Sequence, residues 1–92
     1  MAKEFRLQVF TQERKVLDEP VTSIIVPGED GYLGVLADHA PLITTLGDGT
    51  LTIKRDTLER ELHISGGFLE VVSNVATVLA DSLNEHPQMR AA

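Results

Sequence analysis

Phe5, Leu7 and Val9 alternate with Arg6 and Gln8, the period of two that gives a strand one buried and one wetted face. Thr11-Gln12-Glu13 turns the chain into a short second strand, Lys15 to Asp18. A third runs from Val21 to Val26 and has apolar residues on both faces, so it should be covered on both sides. Pro27-Gly28-Glu29-Asp30-Gly31 is a turn, because proline fixes φ and glycine supplies positive φ. It leads into a strand from Tyr32 to Leu36. Gly47-Asp48-Gly49 reads as the next turn. From Thr50 to Arg55, Leu51 and Ile53 point inward while Thr52 and Lys54 point outward. After a reversal at Asp56-Thr57, Leu58, Leu62 and Ile64 share a face opposite Glu59, Glu61 and His63. Val72-Ser73-Asn74-Val75 reads as a tight hairpin into a last strand, Ala76 to Ala80. Ser82 to Ala92 contains Pro87 and no apolar period, which predicts a loosely ordered tail or at most one helical turn.

Short strands at regular spacing, punctuated by turns, predict an all-β sandwich or flattened barrel. At 92 residues the chain holds one domain with one core, here 1–81 followed by the tail 82–92. Apolar residues make up 42% but aromatic ones only 4%, so the core is mostly aliphatic. The net charge of −6 disfavours nucleic acid and anionic lipid and leaves a basic protein surface open as a partner. With no cysteine there is no disulfide, thiolate metal site or thiol chemistry, in keeping with a reducing cytoplasm. The first residues have no signal-peptide pattern, and no run approaches the roughly 20 apolar residues of a spanning helix. Membrane association is therefore expected only through another protein.

Candidate chemistry is sparse. His39, His63 and His86 lie far apart and show no metal-ligand spacing, so no metal or other cofactor is expected. His63-Ile64-Ser65-Gly66-Gly67 lacks the first glycine and the following helix of a nucleophile elbow, and Gly66-Gly67 lacks the lysine and hydroxyl of a phosphate loop. A glycine bulge or close backbone packing accounts for it better. Glu29-Asp30 has no second carboxylate to suggest acid–base work, so no catalytic residue is assigned. The clustered histidines of a cupin are missing, and Lys54 lacks the flanks of a carrier lysine.

The informative signal is apolar surface. Phe68 falls on the Glu70 face, opposite Leu69 and Val71, while Leu36, Leu42 and Ile43 flank the polar corner around His39-Ala40-Pro41. Pro41 has no N–H for a ladder, which makes that corner an edge or a loop. A docking surface of about 800 Å² would cover several such side chains.

Three segments carry a resemblance: Asp30-Gly31-Tyr32-Leu33-Gly34-Val35-Leu36-Ala37-Asp38-His39-Ala40-Pro41-Leu42, then Ser65-Gly66-Gly67-Phe68-Leu69-Glu70-Val71, then Thr77-Val78-Leu79-Ala80-Asp81. In this order and spacing, from about Phe5 to Asp81, the chain resembles the N-terminal domain of the epsilon subunit of F-type ATP synthases. The resemblance implies a β-sandwich of about ten strands. It also implies a non-catalytic, rotary central-stalk subunit. Such a subunit would bind the gamma subunit and the ring of c subunits, couple proton- or sodium-driven rotation to ATP synthesis, and lie peripherally on the cytoplasmic face of the bacterial plasma membrane. Residue by residue, Gly31, Tyr32 and Leu33 would lie near the ring. His39, Ala40, Pro41, Leu42 and Thr44 would lie near gamma and the ring–stalk junction, and Phe68 in a segment of sheet packing with partner contact. In isolation a monomer is expected. The competing reading is a free-standing β-sandwich interaction module with another partner.

The chain departs from the family pattern at Tyr32, where glutamate is common, and at Asp38, where glycine is common. It also ends at Ala92, without the pair of helices that follows the sandwich in most bacterial relatives. The expectation from that ending is coupling without inhibition of ATP hydrolysis.

Overall fold

In the computed structural model, which describes residues 2–85, the opening alternation is realised: Phe5, Leu7 and Val9 are buried and Arg6 is exposed. They belong to β1 (Phe5–Phe10), followed by β2 (Lys15–Val21), β3 (Ser23–Gly28), β4 (Gly31–Leu36), β5 (Leu42–Arg55), β6 (Leu58–Val72) and β7 (Val75–Glu85). Hydrogen bonding orders the strands β2-β1-β7-β6-β5-β3-β4, antiparallel except for the parallel β1–β7 pair. The sheet is not closed; β2 and β4 are its edges. Pro20 is tolerated in β2 because an edge strand has one side free of the ladder.

The expected all-β class holds, but with seven strands instead of about ten. The difference lies in β5, β6 and β7, whose buried positions change phase once along each strand. In β5 the phase shifts from Leu46 to Leu51 and Ile53, in β6 from Leu62 and Ile64 to Leu69 and Val71, and in β7 from Val78 and Ala80 to half-buried Leu83. The extra residues are Gly47, Gly66 and Asp81, and they lie in one row. Leu46–Gly67–Ala80 are partners on one side of it, and Asp48–Ser65 and Ser65–Ser82 on the other. Because all three strands carry the insertion at the same level, pairing survives it and no strand ends there. Gly47-Asp48-Gly49 is thus not a turn but the middle of β5. At Gly66 (φ 74°) and Gly67 (φ 127°) the pairing keeps its register, so there is no bulge; the close backbone packing expected as the alternative is found, since a Cβ on Gly67 would collide with the Leu79 carbonyl oxygen.

Side chains from both sides of this row, such as Leu51 and Ile53 from one and Leu69 and Val71 from the other, enter a single aliphatic core with Leu7, Val9, Ile24 and Val78. The expected strand Val21 to Val26 is broken at Thr22, whose N–H and hydroxyl both donate to the Lys54 carbonyl (2.8 and 3.1 Å). Of the expected both-side cover, the Ile24 and Val26 face is buried, whereas Ile25 stays exposed on the other. Ser82–Glu85, read above as the start of a tail, continue β7 by pairing with β6 from Leu62 to Ser65. The rest of that segment, including His86 and Pro87, lies outside the described residues.

Candidate partner-binding surface

The Ala37–Pro41 segment leaves β4 and enters β5 as the expected corner. Asp38 takes a left-handed conformation (φ 66°), which explains why glycine suits this position. Its N–H donates to the Asn74 Oδ1 (2.6 Å), and the Asn74 Nδ2 donates back to the Asp38 carboxylate (3.0 Å). Lys3 Nζ reaches both Asp38 carboxylate oxygens at 3.0 Å. The Asn74 hydrogen bond, then the Lys3 ammonium, lowers the Asp38 pKa from the ordinary carboxylate value. Beside it, half-buried His39 donates from Nδ1 to the Ala40 carbonyl (2.7 Å), which puts a ring proton on Nδ1. Ala40 and Pro41 are exposed, and Leu42 and Thr44 are half-buried, Leu42 against the domain's own core. Ile43, between them, points outward and is 72% exposed.

Gly31, Tyr32 and Leu33 begin β4, while His39 follows its far end, so these two groups of candidate residues sit at opposite ends of that strand. Leu33 packs partly on the core. Tyr32 is 57% exposed, yet its hydroxyl accepts the Thr50 N–H (3.0 Å). That donor lies where the β3–β5 ladder is interrupted, between the pairs Ile25–Thr52 and Gly28–Leu46. The tyrosine satisfies a backbone group that the irregularity releases. On the same face of β4, Leu36 is exposed, as is Ile25 opposite Gly34.

Phe68 is 52% exposed on the outer face, as its alternation predicts. It pairs with Thr45 on one side and with Leu79 on the other, and Leu79 pairs with Phe10. Cross-strand neighbours on one face lie within side-chain reach, so Phe68, Leu79 and Phe10 form an apolar row, with Ile43 diagonal to Phe68. Phe68 and Leu79 line a shallow cleft with Thr11, Gln12, Ala80 and Asp81. Leu79 and Phe10 escaped the sequence reading. Alternation around buried Val78 and Val9 turns both outward, but only strand order makes them neighbours.

The acidic and basic side chains mostly serve the fold. Asp18 accepts from Lys15 Nζ (2.8 Å), pairs with Arg6 Nε (2.9 Å) and meets Gln8 Nε2 (3.4 Å). The Lys15 hydrogen bond leads in lowering its pKa. The Ser65 hydroxyl donates to Asp48. Among the described residues no three His, Asp or Glu side chains converge as metal ligands, and no helix is long and apolar enough to cross a membrane.

Residues 4–86 match the family described as the ATP synthase delta/epsilon chain β-sandwich domain. The chain is 40% identical to the ATP synthase epsilon chain of Desulforamulus reducens, over 97% of this chain and 67% of that one. It is 47% identical to the epsilon chain of Solibacter usitatus, over 88% and 60%. Among solved structures, a chain of the Euglena gracilis mitochondrial ATP synthase OSCP/F1/c-ring assembly superposes with a TM-score of 0.83 at 27% identity, over 88% of this chain and 52% of its own. A chain of the Tetrahymena thermophila mitochondrial central stalk/c-ring shares the fold, with a TM-score of 0.77 at 15% identity over 98% and 72%. The chain thus spans between about half and three quarters of the proteins it is similar to. Its sheet, its sequence motifs and these matches agree: the chain belongs to the delta/epsilon family of ATP synthase chains, non-catalytic subunits of that complex, and carries their β-sandwich domain.

Proposed function

We propose that this domain is a central-stalk element that binds the gamma subunit and the c-ring and couples ring rotation to ATP synthesis. The observation that carries the reading is the apolar row Phe68, Leu79 and Phe10, with Ile43 beside it, which the domain's own chain leaves exposed or half-exposed. We assign gamma to this row together with the His39–Thr44 segment, and the ring to the start of β4 at Gly31, Tyr32 and Leu33. A close-packed sandwich suits the task because it deforms little under load. The domain would be a monomer alone, reach the membrane only through the complex, and lie at the cytoplasmic face of a bacterial plasma membrane.

Co-purification with gamma tests the proposal. A stoichiometric complex that captures the c-ring in a second step supports it. A domain that binds neither gamma nor gamma with ring is instead a free-standing interaction module.

A further inference from the structure

The Asp38–Asn74 pair joins two chain reversals that the sequence separates by 36 residues. Both residues have positive φ, 66° and 62°, so both backbones are already set in a conformation glycine would accept, and the side chains are what tie them. Asn74 is fixed from its other side too, since its carbonyl accepts the Arg6 N–H (2.9 Å). Lys3 holds the Asp38 carboxylate from the N-terminal arm. Three segments therefore meet at the root of the His39–Leu42 loop: the N-terminal arm, the corner after β4, and the β6–β7 hairpin. Among the described residues, the His39 side chain bonds only to its neighbour Ala40. No other side-chain hydrogen bond among the described residues fixes the loop's departure from β4.

We infer that Asp38 and Asn74 are positioning residues for the partner-binding loop: their reciprocal hydrogen bonds hold His39 to Leu42 in the shape that the partner meets. The inference rests on the assignment of that loop to gamma. A loop held in its bound shape loses less conformational freedom on docking, so loosening it weakens binding without removing a contact. Lys3 adds an exposed ion pair, which contributes little by itself.

Asn74→Gly tests this, because glycine keeps the positive φ and removes only the side chain. Ser73→Gly is the control: it lies in the same hairpin at φ 50°, with no side-chain bond to the loop. With wild type, Asn74→Gly, Asp38→Gly and Ser73→Gly, three quantities are measured: melting temperature, amide exchange of His39, Ala40 and Leu42, and affinity for isolated gamma. The expected result is that Asn74→Gly and Asp38→Gly stay folded, exchange the loop amides faster, and bind gamma roughly five- to tenfold more weakly. Ser73→Gly should behave as wild type in exchange and affinity. If wild type binds gamma and Asn74→Gly binds it equally well, the positioning role is overturned, whatever the loop exchange shows. Equal weakening by Ser73→Gly also overturns it, since the hairpin and not the bond would then be responsible. Failure of the wild type to bind gamma overturns the assignment of the loop, a separate outcome; unchanged loop exchange in Asn74→Gly would then still refute the clamp.

Discussion

Tyr32 lies across Gly49: a methyl group added at position 49 would collide with the tyrosine hydroxyl and stand 2.7 Å from the Pro27 Cβ. The glycine is what allows the ring to reach the Thr50 N–H. Gly49→Ala should displace the tyrosine and cost about 1–3 kcal/mol as an overpacked contact. Tyr32→Phe, which only leaves the N–H to water, should cost about 1 kcal/mol or less. The chain has one tyrosine and no tryptophan, so intrinsic fluorescence reports Tyr32 alone. A wild-type spectrum and urea midpoint for Gly49→Ala would refute the stacked arrangement.

Gly67 and Gly31 both have φ near 130° (127° and 137°), but a side chain at 67 meets the Leu79 backbone, whereas nothing lies within 4 Å of one at 31. Gly31→Ala should cost only the backbone strain, about 1–3 kcal/mol. Gly67→Ala adds a collision with a carbonyl that cannot move without breaking the β6–β7 ladder, and should cost about 3 kcal/mol or more. Denaturant midpoints of the two variants should fall in that order; equal midpoints would mean that the strands are farther apart at Gly67.

Asp18 gives stability a pH dependence. Its folded-state pKa is lowered, first by the Lys15 hydrogen bond, with burial opposing and Arg6, Lys15 and Gln8 adding to the decrease. A depressed carboxylate pKa contributes stability above the unfolded value of about 3.9, and that contribution is lost as pH falls through the folded value. Stability should therefore decline below about pH 4. Asp18→Asn should be less stable than wild type near neutrality and converge on it at low pH. Parallel wild-type and variant curves down to pH 2, in urea titrations, would exclude the coupling.

Outward and inward positions on the proposed gamma surface should separate. Phe68→Ser and Ile43→Asp alter exposed side chains, so the melting temperature should change little while gamma affinity falls about tenfold or more, as expected for the apolar centre of an interface. Leu42→Asp should weaken binding and also destabilise the free domain, because Leu42 packs on the core. If Phe68→Ser and Ile43→Asp both bind gamma as wild type does, this face is not the gamma surface.

The features legible in the sequence alone were local. The period of two assigned Phe5, Leu7, Val9, Leu51, Ile53, Leu69 and Val71 to the core and turned Phe68 outward, because alternate strand residues face opposite sides. The positive-φ hairpin at Ser73 and Asn74 was legible from turn chemistry. The motif order also identified the family. Features that depend on alignment between distant strands emerge only in the folded sheet. Gly47, Gly66 and Asp81 each look like an interruption when read alone, and become a continuous row because three strands carry the extra residue at one level. Ser82–Glu85 extend β7 because the first half of β6 is there to pair with them, a partner their own polar sequence does not advertise. The apolar row Phe68–Leu79–Phe10 and the Asp38–Asn74 bond are likewise products of strand order and layer packing: each joins residues whose separate periodicities carry no information about the other.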